Sequence, residues 1–149
     1  MRLKNFAPVK KFFFLIVLSI LAVDQGIKFL VLRFFPGQID YNPGAAFSLG
    51  ANTPELILVI VSLVLIFLFW MGIFWSNGRT VTILAIIFGG ALANFLDRLF
   101  RPGVLDYWHL PFWPSFNFAD VVVVVGCLLL LIEWAKKPVE TRKNKNPEE

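Results

Sequence analysis

The stretch LILVIVSLVLIFLFWMGIFWSNG, from Leu56 to Gly78, contains no charged side chain. A helix needs about 20 consecutive apolar residues to cross the hydrocarbon core of a bilayer, and this stretch is long enough. The rest of the chain has a similar character, because 58% of its 149 residues are hydrophobic, against ~45–50% in soluble proteins. The sequence therefore predicts a single membrane-embedded domain.

Four apolar segments divide the chain. They cover residues 11–33, 54–75, 80–100 and 118–135. Each is predicted to be helical, because lipid offers no hydrogen-bond partner to the backbone amides of an isolated strand. Pro54 suits a first helical turn, and Pro102-Gly103 is expected to end the third helix. We therefore predict an all-α integral membrane protein of four transmembrane helices, followed by a cytoplasmic tail over 136–149.

The basic N-terminus, followed by FFFLIVLSILAV, has two interpretations. Basic residues ahead of a short apolar run are typical of a cleaved secretory signal peptide. The apolar run continues past Asp24 to Val31, however, and no small-residue cleavage site follows it. We therefore predict that this segment is retained as the first helix.

The basic residues indicate an orientation in the membrane. Of the 14 Lys and Arg residues, four lie ahead of the first span or at its first residue, one lies between the second and third spans, and five follow the fourth. Lys and Arg are concentrated on the cytoplasmic side of membrane proteins, so both termini are predicted to be cytoplasmic. The segments 34–53 and 101–117 then face outward. The second of them contains aromatic residues expected at the lipid headgroups: Tyr107, Trp108, Phe112, Trp113 and Phe116.

Cysteine and histidine offer little chemistry in this chain. Cys127 is the one cysteine and lies in VVVVVGCLLLLI, so we predict a small apolar packing residue. His109 is the one histidine and is expected to be a loop residue at the membrane interface. The basic residues are dispersed, which argues against nucleic-acid binding.

Several polar side chains lie where a membrane makes them costly. A charge at the centre of a transmembrane helix costs ~2.5–3.5 kcal/mol on insertion scales, so such residues are usually functional. Asp24 and Lys28 are four residues apart, share one helix face and can form an ion pair. The others are Asn94, Asp97 and Arg98 on the third span, Asp106 in the outer loop, and Asp120 at the start of the fourth span. Their shared depth near the outer surface predicts one site.

These residues also have structural interpretations. The ion pair of the first helix can simply tie that helix to its neighbours. Arg98 can extend to the headgroups with Asp97 as its partner. Asn117 and Asp120 have the spacing of a helix cap and its first turn, and residues 89–93 can be a small-residue strip for close helix packing. The residues alone do not decide which carboxylates are catalytic.

Four stretches of the chain resemble motifs of the lipoprotein signal peptidases, also called signal peptidase II. They are DQGIK at 24–28, NPGAAFS at 42–48, GGALANFLDR at 89–98 running on to VLD at 104–106, and FNFAD at 116–120. They occur in the order of the family and at the matching places in the predicted topology, within a resemblance that covers about residues 11–135. One departure is Ala93, where the family usually has Gly.

The resemblance implies an intramembrane aspartic endopeptidase with no metal and no cofactor. Such an enzyme cleaves the signal peptide from diacylglyceryl-modified prolipoproteins just before the lipobox cysteine, in the bacterial inner membrane. It implies that Asp106 and Asp120 are the catalytic pair and that a small extracytoplasmic β/loop subdomain covers the site. The residues expected to bind substrate or support the pair are Asp24, Lys28, Asn42, Gly44, Asn94, Asp97, Arg98 and Asn117.

The expected partners are the lipid-modified prolipoprotein and the membrane lipids, and the chain is expected to be a monomer. Two alternatives come from the intramembrane charges alone: a small transporter, or a structural membrane subunit whose ion pairs fix its helix packing. Transporters commonly contain repeats or interrupted spans near the midplane, and the sequence contains neither.

Overall fold

The structure is a computed structural model that describes residues 6–43 and 78–136, with side chains from residue 11 onward. It contains three long helices: α1 (Phe6–Phe34), α2 (Gly78–Phe100) and α3 (Phe118–Ala135). The parts long and apolar enough to cross a membrane are Lys11–Phe34, Gly78–Phe100 and Phe118–Ala135. The first, third and fourth predicted spans are therefore confirmed as helices, with small differences at their ends. The predicted second span, 54–75, lies outside the described residues.

Helices α1 and α2 lie side by side and run in the same direction. In their first halves, Phe13 and Val17 of α1 form one buried apolar cluster with Val81 and Ala85 of α2. Near their ends, Lys28 Nζ lies 2.7 Å from a carboxylate oxygen of Asp97. The first halves of the two helices contact each other, and so do their ends, so the helices are parallel.

Helix α3 runs antiparallel to α2. The guanidinium of Arg79, at the start of α2, lies 3.6 Å from the carboxylate of Glu133, near the end of α3. At the other end of the pair, a Cβ atom added to Gly90 would lie 2.7 Å from the carbonyl oxygen of Ala119. The beginning of α3 is therefore level with the second half of α2.

Two adjacent glycines of α2 allow both neighbouring helices to approach. A Cβ atom on Gly89 would lie 3.0–3.2 Å from side-chain atoms of Ile20 on α1, while Gly90 meets the backbone of α3. The predicted small-residue packing strip is confirmed at these two positions. Ala93, on the same helix, is completely buried.

The outer surfaces of the helices are apolar and exposed, as a lipid environment requires. Helix α3 is the most exposed of the three, with only Ala119 and Gly126 buried. Cys127 is exposed on this helix. The prediction that Cys127 is a small packing residue is therefore wrong for the described part of the chain, because its side chain is exposed among the aliphatic residues of α3.

Four short strands form two small antiparallel sheets beside the helix ends. Strand β1 (Asp40–Asn42) pairs with β2 (Val104–Asp106), with Asp40 opposite Asp106. Strand β3 (Trp108–Leu110) pairs with β4 (Trp113–Phe116). A short 3-10 helix, Pro36–Gln38, connects α1 to β1. The predicted β subdomain is thus present in the described part of the chain.

The β3–β4 hairpin carries most of the predicted aromatic surface. Trp108, Phe112 and Trp113 are exposed, and Phe112 has a φ of 64° at the turn. Tyr107 is the exception, because it is buried and its hydroxyl accepts a hydrogen bond from the backbone N–H of Phe118 at 3.0 Å. Its assignment to the headgroup belt is wrong. His109 belongs to strand β3 and not to a loop.

Candidate active site

Asp106 is the last residue of β2 and its side chain is almost completely buried. One carboxylate oxygen accepts a hydrogen bond from Asn117 Nδ2 at 2.7 Å. The other accepts one from Asn42 Nδ2, on the neighbouring strand, at 3.2 Å. The pairing of β1 with β2 therefore brings Asn42 to Asp106.

Asp120 lies in the first turn of α3 and forms a capping box with Asn117. The Asn117 side chain accepts a hydrogen bond from the backbone N–H of Asp120 at 3.0 Å, and the Asp120 carboxylate accepts one from the backbone N–H of Asn117 at 3.1 Å. The predicted helix cap is therefore confirmed. The second carboxylate oxygen of Asp120 accepts a hydrogen bond from Asn94 Nδ2 at 2.8 Å, so this side chain also contacts α2.

Asn117 connects the two carboxylates. Its amide nitrogen donates to Asp106, and its backbone nitrogen donates to Asp120. The same amide nitrogen also donates to the side-chain oxygen of Asn94 at 3.1 Å, and the side-chain nitrogen of Asn94 donates to Asp120. Asp106 and Asp120 therefore belong to one hydrogen-bond network, although they come from a strand and a helix.

Burial raises the pKa of the Asp106 carboxyl to about 6, from an ordinary value of 3.8. The negative charge of Asp120 raises it further, while the hydrogen bonds from Asn117 and Asn42 act in the opposite direction. Desolvation and a neighbouring like charge both disfavour the ionised form of a carboxyl. Asp106 is thus suited to keep a proton at a pH where an exposed carboxyl would have lost it.

A buried ion cluster lies next to this network. Lys28 Nζ is 2.7 Å from a carboxylate oxygen of Asp24 and 2.7 Å from one of Asp97, and all three side chains are inaccessible to solvent. Lys28 also lies 3.4 Å from the side-chain oxygen of Asn94. The predicted tie between the first helix and its neighbours is confirmed, and its partner on α2 is Asp97.

Each carboxylate of the cluster also binds a backbone amide beside the candidate pair. Asp97 accepts from the N–H of Leu105 at 3.1 Å, and Asp24 accepts from the N–H of Ala119 at 3.1 Å. Leu105 immediately precedes Asp106, and Ala119 immediately precedes Asp120. The ion cluster therefore fixes the backbone that carries both candidate residues.

Arg98 lies on α2 one turn beyond Asn94 and donates to the Asn94 carbonyl oxygen at 3.2 Å. Its positive charge interacts most strongly with Asp120, followed by Asp106 and then Asp97. A cation in this position stabilises negative charge at the two carboxylates.

The structure brings together nearly all of the residues predicted for the site: Asp24, Lys28, Asn42, Asn94, Asp97, Arg98, Asp106, Asn117 and Asp120. Gly44, the remaining one, lies outside the described residues.

Sequence reasoning missed Gln25, Arg101 and the buried role of Tyr107. Arg101 follows Asp97 by four residues, the spacing that paired Asp24 with Lys28, so the same rule was sufficient to find it.

Comparison with known proteins identifies the family. Residues 16–136 match the family model described as signal peptidase (SPase) II. This chain belongs to the signal peptidase II family. The lipoprotein signal peptidase of Borreliella burgdorferi strain ZS7 is 34% identical in an alignment that covers 85% of this chain and 92% of the relative. That of Borreliella afzelii strain PKo is 33% identical in an alignment that covers 80% of this chain and 86% of the relative.

Two solved structures share the fold. A bacterial membrane enzyme determined by the in meso method at 2.3 Å is 24% identical, with a TM-score of 0.63, and the match covers 100% of this chain and 98% of that one. A second, at 1.9 Å, is 21% identical with a TM-score of 0.70, covering 93% and 99%. The predicted family is confirmed: this signal peptidase II is a membrane protease that cleaves signal peptides from prolipoproteins.

Proposed function

We propose that this signal peptidase II is an aspartic endopeptidase whose catalytic pair is Asp106 and Asp120. The observation that carries the proposal is the position of Asn117, which donates one hydrogen bond to each carboxylate. A further feature supports it. Burial and the charge of Asp120 raise the pKa of Asp106, as is expected where two carboxyls share one proton.

In the proposed reaction, Asp120 is the ionised member because the N-terminus of α3 favours a negative charge. It accepts a proton from a water molecule, and the resulting hydroxide attacks the scissile carbonyl carbon. Protonated Asp106 donates to the carbonyl oxygen and so stabilises the tetrahedral oxyanion. The oxyanion then re-forms the carbonyl and the carbon–nitrogen bond breaks. The departing amine takes the proton from Asp120, and Asp106 keeps its own proton throughout.

The remaining polar residues have supporting roles in this proposal. Asn94 and Arg98 lie on one face of α2, where amide and guanidinium N–H groups can bind substrate carbonyls. Asn42 binds Asp106 from the neighbouring strand, and Gly44 is proposed to let the outer-loop backbone approach an extended peptide. Asp24, Lys28 and Asp97 hold the backbone on either side of the pair.

We propose a four-helix topology in the bacterial inner membrane, with both termini in the cytoplasm and the site near the outer face. The parallel arrangement of α1 and α2 supports it, because two spans that cross in the same direction require a return crossing between them. The uncharged segment within 54–75 is proposed to make that crossing. The excess of basic residues before the first span and after the last supports the orientation.

The proposed substrate is a diacylglyceryl-modified prolipoprotein, cleaved just before its lipobox cysteine, and the proposed active unit is a monomer. A lipid-bearing cysteine stays in the bilayer, so a site among transmembrane helices can receive it from the side.

The central test is cleavage of such a prolipoprotein by purified Asp106→Asn and Asp120→Asn variants in detergent. Each is expected to lose at least ~10²–10⁴-fold in kcat, the contribution of positioned acid–base groups, while remaining folded. Asp40→Asn is the matched control, because Asp40 is an exposed carboxylate on β1 and its loss is expected to leave activity unchanged. Near-native cleavage by either variant would disprove the catalytic pair. A prolipoprotein without lipid is expected to be a poor substrate.

A further inference from the structure

Arg101 lies directly after α2 and covers one side of the buried ion cluster. Its guanidinium forms an ion pair with Asp97 and donates a hydrogen bond to the side-chain oxygen of Gln25 at 3.3 Å. The Gln25 amide donates in turn to carboxylate oxygens of Asp24 and Asp97, both at 3.2 Å. The Arg101 side chain is 22% exposed, whereas that of Asp97 is 0% exposed.

This guanidinium completes the charge balance of the cluster. Lys28 contacts two buried carboxylates, Asp24 and Asp97, and one ammonium cannot neutralise both of them. Arg101 supplies the second positive charge. A buried ion that loses its partner is strongly destabilised, and a carboxyl avoids that penalty by taking up a proton.

Asp97 transmits the effect of Arg101 to the strand that carries Asp106. One oxygen of the Asp97 carboxylate contacts Arg101 and Gln25, while the other accepts from Lys28 and from the N–H of Leu105. The Leu105 amide is the link to the active site, because the next residue is Asp106. An Asp97 side chain that rotated away from the Leu105 amide would hold this strand less firmly.

We propose that Arg101 is a positioning residue of the peptidase, which holds the Asp97 side chain in its orientation so that β2 presents Asp106 in register. The inference rests on the proposed function, in which Asp106 belongs to the catalytic pair. Arg101 acts only through Asp97 and is not itself a catalytic residue. Its contacts with Asp97 and Gln25 also fasten the end of α2 to α1.

Removal of this cation is expected to change the pH dependence of the reaction. The charged and titratable groups around the pair are Asp24 and Lys28 on α1, Asp97, Arg98 and Arg101 on and after α2, Tyr107 after β2, and Asp120 on α3. Loss of one positive charge from this set disfavours ionised carboxyls. Both limbs of the pH–rate profile should therefore move to higher pH.

The test compares Arg101→Gln with Arg101→Lys in the full-length enzyme, with a diacylglyceryl-modified prolipoprotein as substrate. For Arg101→Gln we expect kcat to fall about 10-fold and KM to stay within about twofold of the native value. Both limbs of the pH–rate profile should shift to higher pH by about 0.5–1 unit. Arg101→Lys keeps the charge but not the fork-shaped contact to Gln25, so it should restore the pH range and part of kcat. Arg33→Gln removes an exposed cation from the last turn of α1 and serves as the control with an unchanged profile.

Three results would overturn the inference. They are a native pH profile for Arg101→Gln, an Arg101→Lys variant no better than Arg101→Gln, and a fall in kcat that disappears after correction for the folded fraction. The Asp106→Asn and Asp120→Asn variants keep this test separate from the proposed function. If they are inactive while Arg101→Gln behaves as native, only the role of Arg101 fails. If either is active, the catalytic pair fails whatever Arg101 does.

Discussion

Asn117 combines a structural role with a proposed functional role in one side chain. As the N-cap of α3 it satisfies the backbone N–H of Asp120, and its amide nitrogen binds Asp106. The oxygen of the Asn117 amide group makes the helix cap, and the nitrogen of the same group binds Asp106. Substitutions at Asn117 can therefore remove one task and keep the other.

Asn117→Ser and Asn117→Ala are expected to differ in stability but not in activity. Ser is a good N-cap, so Asn117→Ser should retain most of the melting temperature, whereas Asn117→Ala should lose about 1 kcal/mol from the cap and more from unpaired buried groups. Both lack the amide N–H groups that bind Asp106 and should lose most of kcat. Thermal unfolding in detergent and a cleavage assay measure the two effects. Native activity of the Asn117→Ser variant would contradict the role of the Asn117 amide nitrogen in binding Asp106.

The pKa of Asp106 predicts the upper pH limit of the enzyme. Because this pKa is raised to about 6, Asp106, the proposed catalytic acid, keeps its proton below that pH and loses it as the pH rises further. The high-pH limb of kcat/KM is therefore expected near pH 6, and that of kcat at a higher pH because a bound apolar substrate removes more water from the carboxyl. Profiles flat from pH 5 to 8 would be inconsistent with an acid of this pKa.

The same shift predicts how stability depends on pH. The folded protein binds a proton at Asp106 up to about pH 6, whereas an unfolded chain releases it near pH 4. The contribution of Asp106 to stability is therefore fully present below about pH 4 and is lost as the pH rises to about 6. This part of the pH dependence should be absent in Asp106→Asn.

At the scale of secondary-structure elements, the close approach of α2 and α3 positions Asp120. Gly90 faces the carbonyl oxygen of Ala119 and the side chain of Val123, at distances that leave no room for a methyl group. Asp120 lies between these two residues of α3 and binds Asn94, one turn beyond Gly90. The spacing between the helices therefore sets the position of the carboxylate.

Gly90→Ala is expected to reduce both activity and stability. The new Cβ atom would lie 2.7 Å from the Ala119 oxygen and 2.8 Å from a methyl carbon of Val123, so α3 must move, and overpacking of this kind typically costs ~1–3 kcal/mol. Gly26→Ala is the matched control on α1, where an added Cβ atom meets nothing within 4 Å. The control should be as stable as the native protein or slightly more stable. Equal melting temperatures for the two variants would show that α3 adjusts at no cost.

At the scale of the whole molecule, the parallel contact of α1 and α2 constrains the path of the chain through the membrane. The ends of both helices lie beside the start of α3, where the polar network and the two sheets are found. The opposite end of the bundle has the exposed pair of Arg79 with Glu133. The proposed outer and inner faces therefore differ in chemistry as well as in position.

Cysteine labelling measures this topology. In a Cys127→Ala background, a cysteine at Gly37, after α1, should react in intact cells with a membrane-impermeant maleimide. A cysteine at Gly78, at the start of α2, should react only after the cells are permeabilised. Both glycines are exposed and have open space around them, so the substitutions should be tolerated. The reverse labelling pattern would invert the proposed orientation.

The sequence by itself determined the class of molecule and the positions of its described helices. Hydrophobic length is a local property, so α3 was predicted at residues 118–135 and found there, and the cap at Asn117 followed from its spacing to Asp120. The family motifs named the candidate residues. The sequence did not predict that Tyr107 is buried or that Cys127 faces outward, because burial depends on which elements lie nearby.

Only the tertiary structure decided which polar groups meet. Asp24 and Ala119 are 95 positions apart in the chain, and Asn42 and Asp106 are 64 apart, yet each pair forms a hydrogen bond. No helical or strand period relates residues so far apart, since their contact depends on helix direction, helix spacing and strand register. Local spacing could therefore suggest that Asp24 pairs with Lys28, but only the packed helices and strands joined that pair to Asp97 and to the backbone beside both candidate catalytic residues.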